Sequence, residues 1–548
     1  MFPTGHLDTF ARDNLPPRAL MPELIFELPE LCYPERLNCA VELLDKTVAL
    51  GHGERIAIRS FSGNWPYRRL LDRVDRIAHV LIRCLKLQPG NRVLLRGLND
   101  PMMAACWLAV VKAGLIAVTT TPLLRAKELR QILDRAQIGT ALCDASFREE
   151  LDLAQVDSPV LQQVLYFNTQ ATESIEERLV AAPPERFASC DTAADDVCLI
   201  AFTSGTSGSP KATVHFHRDV MAICDCFPRS ILHVDSDDVF CGTPPLGFTF
   251  GLGGLLLFPM RFAASTLLLG RLTPESLLQS IQEYRATICF TVPTFYRQMA
   301  PLVSRYDIRS LKQAVSAGEA LPLATRELWL KATGFSLIDG LGATELLHIF
   351  ISASNSQICP GATGRPIPGY RACVLDEQGC PLPAGRVGRL AIKGPTGCRY
   401  LADDRQNSYV RDGWNLTGDA CLIDTHGCFW YRGRTDDMII TAGNNVAGAE
   451  VEEALLRHPA VLECGVIGIP DEKRGQIVKA VVVLNVGFEP SEDLIKSLQE
   501  YVKSTIAPFK YPRAIEFRSS LPRTETGKLQ RFKLRESDKR RIAEQEIQ

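Results

Sequence analysis

The chain has 548 residues, more than one ordinary core accommodates, so two or more domains are expected. A hydrophobic share of 46% with 23% charged residues fits a soluble globular protein and excludes a disordered tail-like chain. The net charge of -2 excludes a basic nucleic-acid surface as the main business, while leaving room for a local anion site.

In the first half, helix and strand alternate. Residues 68–85 carry apolar positions at helical spacing, and a short strand at 92–95 follows the Pro89-Gly90 turn. A helix at 101–113, a β-branched strand at 116–121 and a helix at 128–136 come next. Further strands are expected at 197–202, 287–292 and 337–338. This alternation implies an α/β fold of parallel-type sheets with helices on their faces. After about Gly364 proline, glycine and short alternating runs (370–375, 389–393) imply a β-rich subdomain over 364–435. From 436 to 548 the pattern becomes α+β: a helix at 449–456, strands at 464–469 and 479–484, a helix at 494–505. A domain boundary is therefore expected near 434–437. Two apolar stretches, 104–124 and 251–270, are interrupted by Lys112, Pro259 and Arg261 and are read as buried elements rather than membrane spans.

The 18 cysteines are scattered, and the N-terminal residues lack a signal-peptide layout, so reduced thiols in a cytoplasmic protein are expected. No CxxC pair occurs. Cys224 and Cys226 lie near His215 and His217, but without a zinc spacing they read as buried residues at a helix start.

The sharpest local signal is Thr203-Ser204-Gly205-Thr206-Ser207-Gly208-Ser209-Pro210-Lys211, directly after the apolar strand at 197–202. Glycines and hydroxyls offer donors to phosphate oxygens, and Lys211 adds charge. The loop is not a P-loop NTPase motif: Pro210 precedes the lysine, and Ala212 stands where the magnesium-binding hydroxyl would be.

This loop resembles the phosphate-binding signature of the acyl-CoA synthetase, luciferase and peptide-synthetase adenylation superfamily. Other stretches match that superfamily in order: Gly340-Leu341-Gly342-Ala343-Thr344-Glu345, Leu416-Thr417-Gly418-Asp419, Tyr431-Arg432-Gly433-Arg434-Thr435-Asp436-Asp437, Glu450-Val451-Glu452 and Pro522-Arg523-Thr524-Glu525-Thr526-Gly527-Lys528. The resemblance implies a large N-terminal ATP- and acid-binding domain (1–435) and a small mobile C-terminal domain (436–548). It also implies residue roles. Thr203, Ser204, Gly205, Thr206 and Lys211 would grip the β- and γ-phosphates. Thr344 would meet the α-phosphate, and Glu345 would orient Mg²⁺. Gly318, Glu319 and Ala320, with Gly340 and Gly342, would line the nucleotide. Asp419 and Arg434 would take the ribose hydroxyls, and Lys528 would bridge carboxylate and α-phosphate. Asp436 would be the hinge, and Gly443, Lys473 and Arg474 would face coenzyme A. Three departures stand out: Ala212 for glycine, Leu341 for an aromatic beside the adenine, and Ile440 for a lysine near the hinge.

Two segments, Pro244 to Gly254 and Glu345 to Phe350, most resemble the benzoate–CoA ligase family, its 2-aminobenzoate members above all. The likeness implies that Phe250 packs on the substrate ring, with Thr249, Gly251 and His348 lining the pocket. Thr249 is a hydroxyl where benzoate enzymes tend to carry a small apolar group, and a hydroxyl in an apolar pocket wants a polar partner. The expected function is thus aromatic acid–CoA ligation with ATP, Mg²⁺ and coenzyme A. 2-Aminobenzoate is favoured over benzoate, and hydroxybenzoates stay open. Rival readings are loading of an acyl-carrier protein, a luciferase-like oxygenase and a non-enzymatic acyl-adenylate binder. No nucleic-acid or membrane partner is expected, and the oligomeric state is open, a homodimer being one option.

Overall fold

The computed structural model describes residues 1–172, 174–203, 210–441, 444–471, 474–523 and 529–546, with the backbone alone at 356, 436, 444, 445, 539 and 541–546. Two large sheets dominate the first 370 residues. One has six strands, in the order Gln163–Phe167, Thr140–Asp144, Arg92–Arg96, Ile116–Thr120, Val197–Thr203 and Lys211–Phe216. Its pairings are parallel except the last, where Val197–Thr203 and Lys211–Phe216 run antiparallel. The other has nine strands, with a parallel centre and antiparallel pairs at both ends. The α/β reading holds, with hairpins added at the sheet edges.

Helix Pro101–Lys112 is buried along its whole length, which explains the apolar stretch at 104–124. Asp100 caps it, accepting the Met102 N–H at 2.8 Å, and Pro101 at the first position sacrifices no helical donor. Its one cation, Lys112, is held by the carboxylates of Asp45 and Asp75. A lone buried ammonium would cost several kcal/mol, so this pairing is what lets the helix lie in the core. Among the described residues no helix is long and apolar enough to cross a membrane.

A third, five-stranded sheet joins Arg371–Leu375, Gly388–Lys393, Trp414–Ile423, Val410–Arg411 and Phe429–Arg434, all antiparallel. A fourth is built from Ile439–Thr441, Asn444–Val446, Val461–Asp471, Gly475–Leu484 and Ala514–Phe517. Its separate apolar core packs under helices Gly448–Leu456 and Glu492–Thr505. This is a C-terminal domain with its own core.

The expectation of reduced cysteines needs one correction. Cys359 and Cys428 are paired as a disulfide across 69 residues, because the 359 turn packs onto the strand pair that ends near Phe429. Sixteen cysteines are free.

Candidate active site

The strand Val197–Thr203 leads into the phosphate-type loop and Lys211–Phe216 leads out, with Thr203 directly opposite Lys211. Ser204, Gly205 and Thr206 lie outside the described residues. Ala212 is not in the loop. It lies buried in the strand opposite Phe202, in a β conformation that asks nothing special of glycine.

Next to this hairpin sits the turn Thr344–Leu346, at the end of strand Ile338–Gly342. The strand is longer than the sequence reading of 337–338, because Gly340 and Gly342 continue it rather than end it. Glu345 Oε1 accepts a 2.6 Å hydrogen bond from the phenol of Tyr400, and the ammonium of Lys211 lies 5.3 Å from the centre of the same ring. His215, fully buried on the neighbouring strand, has its pKa lowered to about 4 by burial.

Asp419 and Arg434 face each other across paired strands, Nη1 to Oδ1 at 3.1 Å, and Arg434 also donates to the Thr417 carbonyl at 2.8 Å. Burial raises the Asp419 pKa while Arg434 opposes it. Gly418 is needed here: its φ is +76°, and a Cβ would lie 2.7 Å from the guanidinium. The pair is a carboxylate held in place beside a cation, a fit for two adjacent hydroxyls.

Thr249 and Phe250 open a short buried helix, and both are half-buried. Gly251 lies against the Pro245 carbonyl so closely that no side chain fits. His348 lies within an aromatic cage, its ring centre 4.5 Å from Phe258, 5.7 Å from Phe250, 5.9 Å from Phe227 and 6.4 Å from Phe290. Burial drives its pKa down to about 3, so the ring is neutral. Nε2 faces the Phe250 carbonyl at 3.4 Å, so Nε2 carries the proton, and Nδ1 is a buried acceptor with no partner. The two sequence segments singled out for the acid are therefore brought together.

Gly318 turns with φ +91° at the end of strand Gln313–Ala317. The Glu319 carboxylate accepts from Thr294 Oγ1 at 2.9 Å and from Arg523 at 2.9 Å, with the Leu529 N–H at 3.1 Å. It thus ties the end of strand Gln313–Ala317 to the C-terminal domain. Ala320 is exposed, and Leu341 is half-buried against the core. Ile440 is 57% exposed on the short strand Ile439–Thr441. Asp436 lies in the turn Thr435–Asp437, between the strands Phe429–Arg434 and Ile439–Thr441. Arg474 lies exposed, its N–H bonded to Asp471 at 2.9 Å. Gly443, Lys473 and Lys528 lie outside the described residues.

Cys224 and Cys226 are buried in helix His217–Phe227. His217 turns instead toward Cys39 and Cys198, and its Nδ1 accepts the Cys39 N–H at 3.1 Å. Tyr400 and its neighbour Arg399 went unread in the sequence, since an isolated Arg-Tyr after Gly-Pro carries no spacing signal and is drawn to the site only by the fold.

The AMP-binding enzyme family matches residues 45–400, and the AMP-binding enzyme C-terminal domain matches residues 450–528. A benzoate–CoA ligase of Thauera aromatica is 34% identical over 92% of this chain and 97% of its own. Among solved structures, an anthranilate CoA ligase in complex with anthranoyl-AMP superposes with TM-score 0.89 at 31% identity, over 93% of this chain and 99% of that one. A benzoate CoA ligase from Burkholderia xenovorans LB400 gives 0.84 at 31%, over 91% and 100%. The chain belongs to the AMP-binding enzyme family, on its benzoate–CoA ligase-like branch, and is an acid–thiol ligase.

Proposed function

We propose that this chain is an aromatic acid–CoA ligase whose preferred acid is 2-aminobenzoate, with benzoate second. The observation that carries it is that Phe250 and His348, from the two segments read as acid-binding, lie with ring centres 5.7 Å apart, His348 four residues beyond Thr344. The half-buried Phe250 ring offers an apolar face to a flat aromatic acid. The hydroxyl of half-buried Thr249 favours a ring substituent with which it can hydrogen-bond, as an ortho-amino group does.

In the first half-reaction a carboxylate oxygen bonds to the α-phosphorus of ATP as the bond to pyrophosphate breaks. In the second the coenzyme A sulfur bonds to the acyl carbon, AMP leaves and the thiol proton is released. No covalent enzyme nucleophile is required, so catalysis is positioning and charge stabilisation. Thr203, Ser204, Gly205, Thr206 and Lys211 hold the β- and γ-phosphates. Thr344 and Lys528 meet the α-phosphate, Asp419 and Arg434 the ribose, and Gly318, Glu319, Ala320, Gly340 and Gly342 frame the nucleotide. Gly443, Lys473 and Arg474 serve coenzyme A once the C-terminal domain has turned about Asp436. Glu345 would hold Mg²⁺. The fit is sound, because Oε1 is taken by Tyr400 and Oε2 has no partner among the described residues. A hard cation takes such an oxygen, keeps several waters and neutralises phosphate charge.

Comparing kcat/KM for 2-aminobenzoate and benzoate with purified enzyme tests the acid assignment. A clear win for benzoate would refute the Thr249 argument. Supplying coenzyme A without any carrier protein tests the acceptor, with aryl-CoA as the expected product.

A further inference from the structure

Tyr400 is buried at 1% exposure, yet it stands between two groups of opposite charge at the site. Its hydroxyl donates to Glu345 Oε1 at 2.6 Å, and Lys211 approaches its ring to 5.3 Å. The backbone that carries it is clamped on both sides. Val214 donates to the Arg399 carbonyl at 2.8 Å and Leu401 to the Ala212 carbonyl at 2.9 Å, so the segment runs beside the strand that leaves the phosphate loop. Gln406 Oε1 accepts the Tyr400 N–H at 2.9 Å. Arg399 anchors the segment from below through a 2.6 Å ion pair to buried Asp219 and a guanidinium 4.0 Å from the Phe216 ring. Tyr409 packs edge-on against the Tyr400 ring at 5.6 Å. A tyrosine held this firmly has one orientation to offer.

We propose that Tyr400 is a positioning residue for the metal–nucleotide site, fixing the Glu345 carboxylate through Oε1 so that Oε2 is presented to the cation, while its ring steadies Lys211 at the foot of the phosphate loop. The proposal rests on the reading of Glu345 as the metal-facing carboxylate. A glutamate carboxylate on three rotatable bonds loses orientation unless one oxygen is held, and a charge-assisted O–H···O⁻ bond is the strong way to hold it. A merely structural tyrosine would pack the same core but would not couple to the metal.

The test uses full-length Y400F, E345Q and the double variant Y400F/E345Q. Phenylalanine keeps the ring and removes the one bond. Mn²⁺ binding to the enzyme–ATP complex is followed by its EPR signal, alongside metal-free ATP affinity, Tm and the metal dependence of adenylation. For Y400F we expect near-native Tm and metal-free ATP affinity, with Mn²⁺ affinity lowered about tenfold, the scale of a hydrogen bond to a charged group. The half-saturating metal concentration for adenylation should rise likewise. The double variant should bind Mn²⁺ no worse than E345Q, since Tyr400 acts through that carboxylate. If E345Q lowers Mn²⁺ affinity and Y400F does not, or if the two losses add, the Tyr400 proposal alone is overturned. If E345Q binds Mn²⁺ as the native enzyme does, the reading of Glu345 falls first and the proposal with it.

Discussion

At the residue scale the proposed choice of acid rests on His348 and Phe250. Phe250→Ala removes one wall of the cage, and kcat/KM for aromatic acids should drop about 10- to 100-fold with the KM for ATP little changed. A parallel rise in both KM values would point to general unfolding instead. His348, His215 and His6 have pKa values lowered to about 3, 4 and 4 by burial. Each therefore binds a proton on unfolding at any pH between its folded value and about 6.5. The unfolded state then holds more protons, so stability rises with pH across that window and is lost as pH falls from 6.5 toward 4. Each fully buried histidine contributes up to about 1.4 kcal/mol per pH unit there. Tm measured from pH 7.5 to 4.5 should fall steeply below 6.5, and His215→Phe should flatten part of that slope; an unchanged slope would contradict the burial argument. Phe250 and His348 were legible from their place in two motif-like segments. Tyr400 was not, because its value comes from a strand pairing that no local pattern announces.

At the scale of elements, the short helix Thr249–Leu252 and the turns that follow must pass within contact of His348. A Cβ at Gly253 would lie 2.4 Å from His348 Cδ2, against a ring caged on every side. Gly253→Ala should therefore destabilise by about 1–3 kcal/mol through overpacking, and should weaken aromatic acid binding more than ATP binding. A Tm within a degree of native would show that the cage is looser than its distances imply. Helix and strand existence was readable over 68–136, since apolar periodicity there reflects burial on one face or on all. The ends were less readable. The strand at 338 runs on through Gly340 and Gly342, residues that resemble loop glycines in sequence but serve the close approach of strand Ile349–Ser352. Likewise Ala212 resembles a loop position and belongs to a strand.

At the scale of the whole molecule, Arg523 ties the C-terminal domain to the loop that carries Glu319. Its guanidinium reaches Glu319 at 2.9 Å and Glu463 at 3.0 Å, one partner in each domain. Arg523→Ala should loosen this arrangement, lowering the adenylation rate severalfold while leaving thioester formation from preformed acyl-adenylate at or above native; partly exposed ion pairs are worth about 1 kcal/mol or less, which sets that modest scale. Asp436→Pro should do the converse, sparing adenylation and crippling thioester formation. Such domain docking is invisible in sequence, because Glu319 and Arg523 lie far apart in the chain and each reads alone as a solvated charge. The central claim, adenylation of an aromatic acid for transfer to coenzyme A, is tested most directly by pyrophosphate exchange into ATP with a panel of aromatic and aliphatic acids, followed by addition of coenzyme A alone. The account predicts exchange that depends on an aromatic acid, strongest with 2-aminobenzoate, and conversion to aryl-CoA on addition of the thiol. Exchange with aliphatic acids only, or an adenylate that coenzyme A fails to discharge, would contradict it.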